Sequence, residues 1–334
     1  MISPSPYEMA TGLLREAGLG VADSVEPLAG GRNNQVFRVN LKDGGCVVLK
    51  RYHYDPRDPR DRLQAEWCFL NYVVERGVRN VPQPLASDPG QHCALYNFVP
   101  GVRAKSVDGD LIAQAADFVV AINGAPAELH QLAPASEACF SLGSHLETVD
   151  RRVRQLRELD DKAPHVGKAR DFVAGKLSPA WQKIRSGIVR ATEARGIAIA
   201  TAVTSEIVSP SDFGFHNALV DERGRVTFLD FEYAGRDDPA KLICDFFCQP
   251  ALPVPLSCYA DFTSRIAAAL SLNEEDLWRA RLLLNAYRIK WVCIMLNEFS
   301  ALGARRRAFA ARESESRAAH QLRNAERYLT LIAS

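Results

Sequence analysis

The chain has 334 residues, 47% hydrophobic and 24% charged, with a formal net charge of +1. That length and composition suit two domains, or one domain in two lobes, with a full apolar core. The near-neutral balance has no dominating basic stripe, which argues against a nucleic-acid partner. Eight cysteines are scattered through apolar runs without a C-x-x-C pair, so reduced buried thiols are expected rather than a zinc site. The N-terminus MISPSPYEMATGLL lacks a basic region followed by an apolar core, and no apolar stretch approaches the roughly 20 residues that span a bilayer. A cytoplasmic protein without a membrane partner is therefore expected.

In chain order, Pro6 to Ala17 reads as a short helix stopped by Gly18 and Gly20. The runs VEPLAG, NQVFRVN and CVVLKRY read as strands, separated by Gly30-Gly31 and by Asp43-Gly44-Gly45. After the charged stretch DPRDPRD, a helix is predicted from Leu63 to Arg76. Strands follow near Gln83 to Ser87 and Cys93 to Phe98. Pro100-Gly101 then marks a break. Beyond it helices are predicted over 111–132, 146–159, 166–194, 256–270, 274–298 and 305–332, and only Ala202 to Phe231 reads as strand. The expectation is an α+β protein: a small β-rich lobe, residues 1–98, and a larger mainly helical lobe, residues 99–334, with a ligand cleft between them.

The chemistry concentrates in SPSDFGFHNALVDERGRVTFLDFEYAGRDD. Asp212 and Asn217 form D-x-x-x-x-N on a loop, and Asp230 follows at the end of an apolar strand. A loop Asp can accept the proton of an attacking hydroxyl, while an Asn amide oxygen and a second carboxylate are hard ligands for Mg²⁺. Alone, D-x-x-x-x-N describes a turn Asp and a capping Asn equally well. Lys50 ends the apolar strand CVVLK, where a lysine can reach nucleotide phosphates and be held by a helix Glu; Glu66 in LQAEWCFLNYV is the candidate. Gly30, Gly31, Asn33 and Asn34 could cover phosphates with backbone N–H groups, although they lack the G-x-G-x-x-G spacing. Backbone groups near Asn97 and Phe98 could meet an adenine edge.

In order and spacing, GGRNNQVFRV, the Lys50 strand, the Glu66 helix, LYNFVPG, SDFGFHN, FLDFE and DDPAKLICDF resemble the aminoglycoside phosphotransferase and choline kinase-like family. The resemblance covers about 27–245 and implies a protein-kinase-like two-lobed fold and transfer of a γ-phosphate from ATP, or GTP, with Mg²⁺. It implies Asp212 as catalytic base, Asn217 and Asp230 as metal ligands, Lys50 on the phosphates paired with Glu66, and Asp245 as a buried carboxylate bracing the catalytic loop. One departure is Pro210, which stands where the family loop carries a His two residues before the Asp.

Only residues 231–244 separate Asp230 from Asp245, too few for the segment with which a protein kinase holds a peptide. A small-molecule hydroxyl acceptor is therefore expected: a sugar, amino alcohol or aminoglycoside. His216, Glu232, Tyr287 and Trp291 are the candidate acceptor residues; each has an ordinary packing role as its alternative. A non-catalytic nucleotide-binding module and a protein kinase remain the rival readings.

Overall fold

Alternating apolar and polar residues give the first part of the chain its ladders. The computed structural model describes residues 4–28, 34–124, 126–300 and 315–333. These divide into two compact units, one from 1–136 and 208–236, the other from 137–207 and 237–334.

The first unit opens with helix α1, Pro6–Glu16, closed at its start by a Ser5–Glu8 capping box. Strands β1 (Ala22–Pro27), β2 (Gln35–Leu41) and β3 (Cys46–Arg51) form an antiparallel meander. Helix α2, Arg62–Glu75, is capped by Asp61 and leads to β4 (Pro84–Asp88) and β5 (Cys93–Asn97). The sheet order is β1-β2-β3-β5-β4. Met9, Leu13 and Leu14 of α1 pack with Val39, Val47, Leu49 and Leu95. In β3, Val47 and Leu49 go to that core, and the period of two sends Lys50 to the opposite face, where it is also buried.

Beyond the sheet, Val102 pairs with Val220 through two backbone hydrogen bonds. Gly101 makes this approach possible. Its φ is 142°, and a Cβ there would lie 2.9 Å from the Val220 carbonyl oxygen. Helix α3 spans Gly109–Ile122 and ends at Asn123-Gly124, so the helix expected over 111–132 is cut short and a 3₁₀ turn, Pro126–Gln131, follows. Asn123 is buried because it braces the next strand across sequence: its amide accepts from Val208 N at 2.7 Å and donates to Val208 O at 3.1 Å.

The second unit is helical. It holds α4 (Leu142–Gln155), α5 (Val166–Phe172) and α6 (Ser178–Ala194). The strands β6 (Ile207–Ser209), β7 (Ala218–Val220), β8 (Val226–Phe228) and β9 (Gly235–Asp237) come next in the chain, β7 pairing with β8 as a hairpin. The chain re-enters the second unit for α7 (Pro239–Cys248), α8 (Tyr259–Leu270), α9 (Glu274–Leu296) and α10 (Glu315–Ala333). The long helix predicted over 166–194 carries a π turn at Val173–Leu177, just ahead of Pro179, whose ring clashes with a straight i−4 carbonyl. Helix α7 is buried on every side because its one charged face is also covered: Lys241 pairs with Asp237 and Asp245, and Asp245 with Lys290; Asp238 as cap and Pro239 at the first position mark its start. Helix α9 packs against α4, α6, α7 and α10, and buried residues such as Leu283, Ala286, Tyr287, Ile289 and Val292 go nearly all round it. All eight cysteines are free thiols. Among the described residues, no helix is long and apolar enough to cross a membrane.

Candidate active site

The residues from Pro210 to Asn217 are fixed by alternate anchoring. Phe213 and Phe215 are buried, and their rings meet Phe228 of β8 at 5.0 and 6.2 Å. Phe118 of α3 lies tilted against Phe228 at 4.6 Å and stacks on Phe213 at 5.8 Å, and Phe231 stacks on Phe69 of α2 at 4.5 Å. With these rings as the floor, Asp212, His216 and Asn217 meet one another. His216 Nε2 lies 3.2 Å from Asp212 Oδ1, and Asn217 Nδ2 donates to Asp212 O at 3.0 Å and Oδ2 at 3.2 Å. Ser211 holds a left-handed φ of 67° immediately before the carboxylate.

The hairpin carries the second carboxylate to the same place. Ala218 pairs with Phe228, and Leu229 N donates to Asn217 O at 2.8 Å, which puts Asp230 beside Asn217. Asp230 also has a left-handed φ, 66°, and its side chain is 41% exposed. Lys50 Nζ donates to Asp230 Oδ1 and to Glu66 Oε2, both at 2.6 Å. Glu66 is 3% exposed and also receives the Tyr52 hydroxyl at 2.9 Å and Phe231 N at 3.3 Å. Burial alone would lower the Lys50 pKa, but the carboxylates of Asp230, Glu66 and Glu232 outweigh it and hold the ammonium well above its ordinary value. Burial pushes the Glu66 carboxyl up, with Lys50 opposing.

These residues suit a magnesium ion. The Asn217 amide nitrogen is turned to Asp212, which leaves its oxygen to a cation, and Asp230 presents a partly open carboxylate. Two hard oxygens are a sparse set, but magnesium keeps waters and shares substrate phosphates. Among the described residues, no group of three or more His, Cys, Asp or Glu side chains is arranged to hold a metal by itself.

The other expected residues are placed as follows. Gly30, Gly31 and Asn33 lie outside the described residues. Asn34 is buried; its amide donates to Glu232 Oε2 at 2.7 Å and accepts from His53 N at 3.2 Å. Asn97 ends β5 and accepts from Gln83 N, and Phe98 lies under the Arg38 guanidinium. Tyr287 and Trp291 are buried residues of α9 in the second unit, where the Tyr287 hydroxyl lies 2.7 Å from His145 Nδ1. Asp245, in the same unit, is buried between Lys290 at 2.7 Å and Lys241 at 3.1 Å. Sequence reasoning did not single out Arg62, which is buried beside Glu232, or Asn123. It also missed the buried group of His145, Asp238 and Arg279. The signals were a charged residue inside DPRDPRDR, an Asn-Gly inside a helical pattern and the helix start at Asp238-Pro239.

A model of the phosphotransferase enzyme family matches residues 24–249. Among functionally curated proteins, no sequence relative matches. Solved structures are similar over nearly the whole chain at low identity. A spectinomycin phosphotransferase in complex with ADP and spectinomycin has a TM-score of 0.63 at 12% identity, covering 99% of this chain and 98% of that one. Choline kinase LicA from Streptococcus pneumoniae has a TM-score of 0.58 at 12% identity, covering 97% and 99%. A choline kinase from Cryptosporidium parvum Iowa II has a TM-score of 0.55 at 13% identity, covering 97% and 96%. Those likenesses establish the protein-kinase-like fold, and the family model, which spans the Lys50–Glu66–Asp230 cluster and the Asp212 loop, establishes that the chain belongs to the phosphotransferase enzyme family.

Proposed function

We propose that the protein is an ATP- and Mg²⁺-dependent kinase that transfers the γ-phosphate to a hydroxyl of a small molecule. The observation that carries this reading is Asp212, bracketed by His216 and Asn217 one hairpin away from the Lys50–Asp230 pair. Asp212 accepts the proton of the acceptor hydroxyl as that oxygen attacks phosphorus. The contacts from Asn217 and His216 hold the carboxylate in one orientation for that proton. Lys50 stays cationic and moves its charge toward the phosphates, with Glu66 keeping the ammonium in place. Asn217 and Asp230 would hold the magnesium ion, which when bound neutralises charge on the phosphates.

The acceptor class rests on the short stretch 231–244, which has no room for a peptide-holding segment, and on the similar proteins, which include kinases for spectinomycin and for choline. Pro210 in place of a histidine leaves every group that touches the reacting atoms present. A turnover screen tests the proposal: amino alcohols, sugars, macrolides and aminoglycosides with MgATP, read as ADP release above the rate without acceptor. One acceptor class should stimulate release, and MgADP should raise the melting temperature. Acceptor-independent behaviour across the screen, with no melting shift from MgADP, would leave the reading without support.

A further inference from the structure

We propose that Asn34, Arg62 and Glu232 form a buried positioning knot that sets Asp230 against Lys50 and thereby determines how tightly the protein holds a magnesium nucleotide. The inference rests on the kinase reading above and gives Glu232 a role apart from acceptor contact. Glu232 lies two residues beyond Asp230 and is 3% exposed. Its carboxylate takes the Asn34 amide at 2.7 Å, and Arg62 Nε lies 3.6 Å away. Asn34 also accepts from His53 N, and Arg62 donates to His53 O at 3.1 Å and to Asp58 at 2.7 Å. The knot therefore joins four places in the first unit: the start of β2, the chain leaving β3, the first residue of α2, and the segment after Asp230.

Asp230 gives this linkage its purpose. Its left-handed backbone is sparsely populated by residues other than glycine and persists where surroundings over-determine it. Three restraints do so: Lys50 on its side chain, Glu66 on Phe231 N, and the knot on Glu232. Two of the three also depend on α2, because Glu66 lies one helical turn from Arg62. Loosening the knot lets Asp230 leave its place without touching Asp212, so the loss should fall on the nucleotide side of the reaction.

The test exchanges donor and acceptor. Asn34→Asp sets two carboxylates face to face; adding Glu232→Gln restores one donor against one acceptor and leaves an oxygen for Arg62. For Asn34→Asp we expect MgADP affinity and kcat/KM for MgATP to fall about ten- to a hundredfold, with KM for the acceptor unchanged. The exchanged pair should recover both to within a few fold of the wild type. If Asn34→Asp does not fold, the pair must fold and bind MgADP. An Asn34→Asp protein with wild-type MgADP affinity, or a pair no better than the single variant, overturns the proposal while leaving the kinase reading intact. A wild-type chain that binds no MgADP overturns both.

Discussion

Replacing Lys50 by methionine removes the cation shared by Glu66 and Asp230 in the first unit. The ammonium has two carboxylates at 2.6 Å, and one of them, Glu66, is almost wholly buried. Breaking a buried pair from one side costs about 3–5 kcal/mol, because the remaining charge has no counter-ion. Glu66 keeps the Tyr52 hydroxyl and Phe231 N, which places the cost near the lower end, about 3 kcal/mol. For a domain of this size that is a drop in Tm of about 6–12 °C at neutral pH. The sign of its pH dependence follows from Glu66. Without Lys50, the folded carboxyl prefers its proton more than the unfolded one does. Folding is then favoured below the unfolded carboxylate pKa and loses stability as pH rises through the folded value. The gap in Tm between Lys50→Met and wild type should therefore be small near pH 5 and grow toward pH 8. Adding Glu66→Gln should close most of the gap while phosphotransfer stays lower by about a hundredfold or more. Differential scanning calorimetry across pH, with turnover on the same samples, is the assay. A Lys50→Met protein that melts with the wild type at every pH would refute the buried-pair reasoning.

Two further outcomes follow from the structure. In the second unit, burial opposes a charged His145, but Cys139 and the Asp238 carboxylate at 3.0 Å outweigh it and push its pKa from 6.5 up to about 10. The stability His145 adds is thus whole below about pH 6.5 and fades as pH rises toward 10, so His145→Gln should flatten that alkaline decline in Tm; superimposable profiles would contradict it. Gly101→Ala should destabilise by about 1–3 kcal/mol, read by urea titration, since a Cβ meets the Val220 carbonyl at a φ suited to glycine.

The two-lobed α+β architecture and the gathering of the candidate residues in one place were each legible in part. Asp212, Asn217 and Asp230 were legible because their residue types and spacing on a strand–loop–strand pattern have few other uses in combination, and Lys50 because a charged residue at the end of CVVLK breaks an apolar run. The sheet was legible from alternation in β2, β3 and β5. Helix α7 was not, because its charged face, Lys241 and Asp245, is buried in ion pairs instead of facing solvent. Nor was the Asn34–Glu232 contact, which joins residues 198 positions apart through polar side chains that pattern reading places on surfaces. The same limit hid the group of His145, Asp238 and Arg279: Asp238 is legible as the cap of α7, but its contacts with His145 and Arg279 come from other helices. Long-range polar pairs carry no periodic signal.

Transfer of a phosphoryl group to a small hydroxyl compound through Asp212 and Asp230 can be tested in one experiment. The most direct measurement incubates the protein with γ-labelled ATP, magnesium and a fractionated metabolite extract, then separates label in low-molecular-weight products from label in protein. Label is expected in a small alkali-stable phosphate ester, lost with Asp212→Asn and with Asp230→Ala in folded variants. Label confined to protein, or small-molecule labelling undiminished in Asp212→Asn, would contradict it.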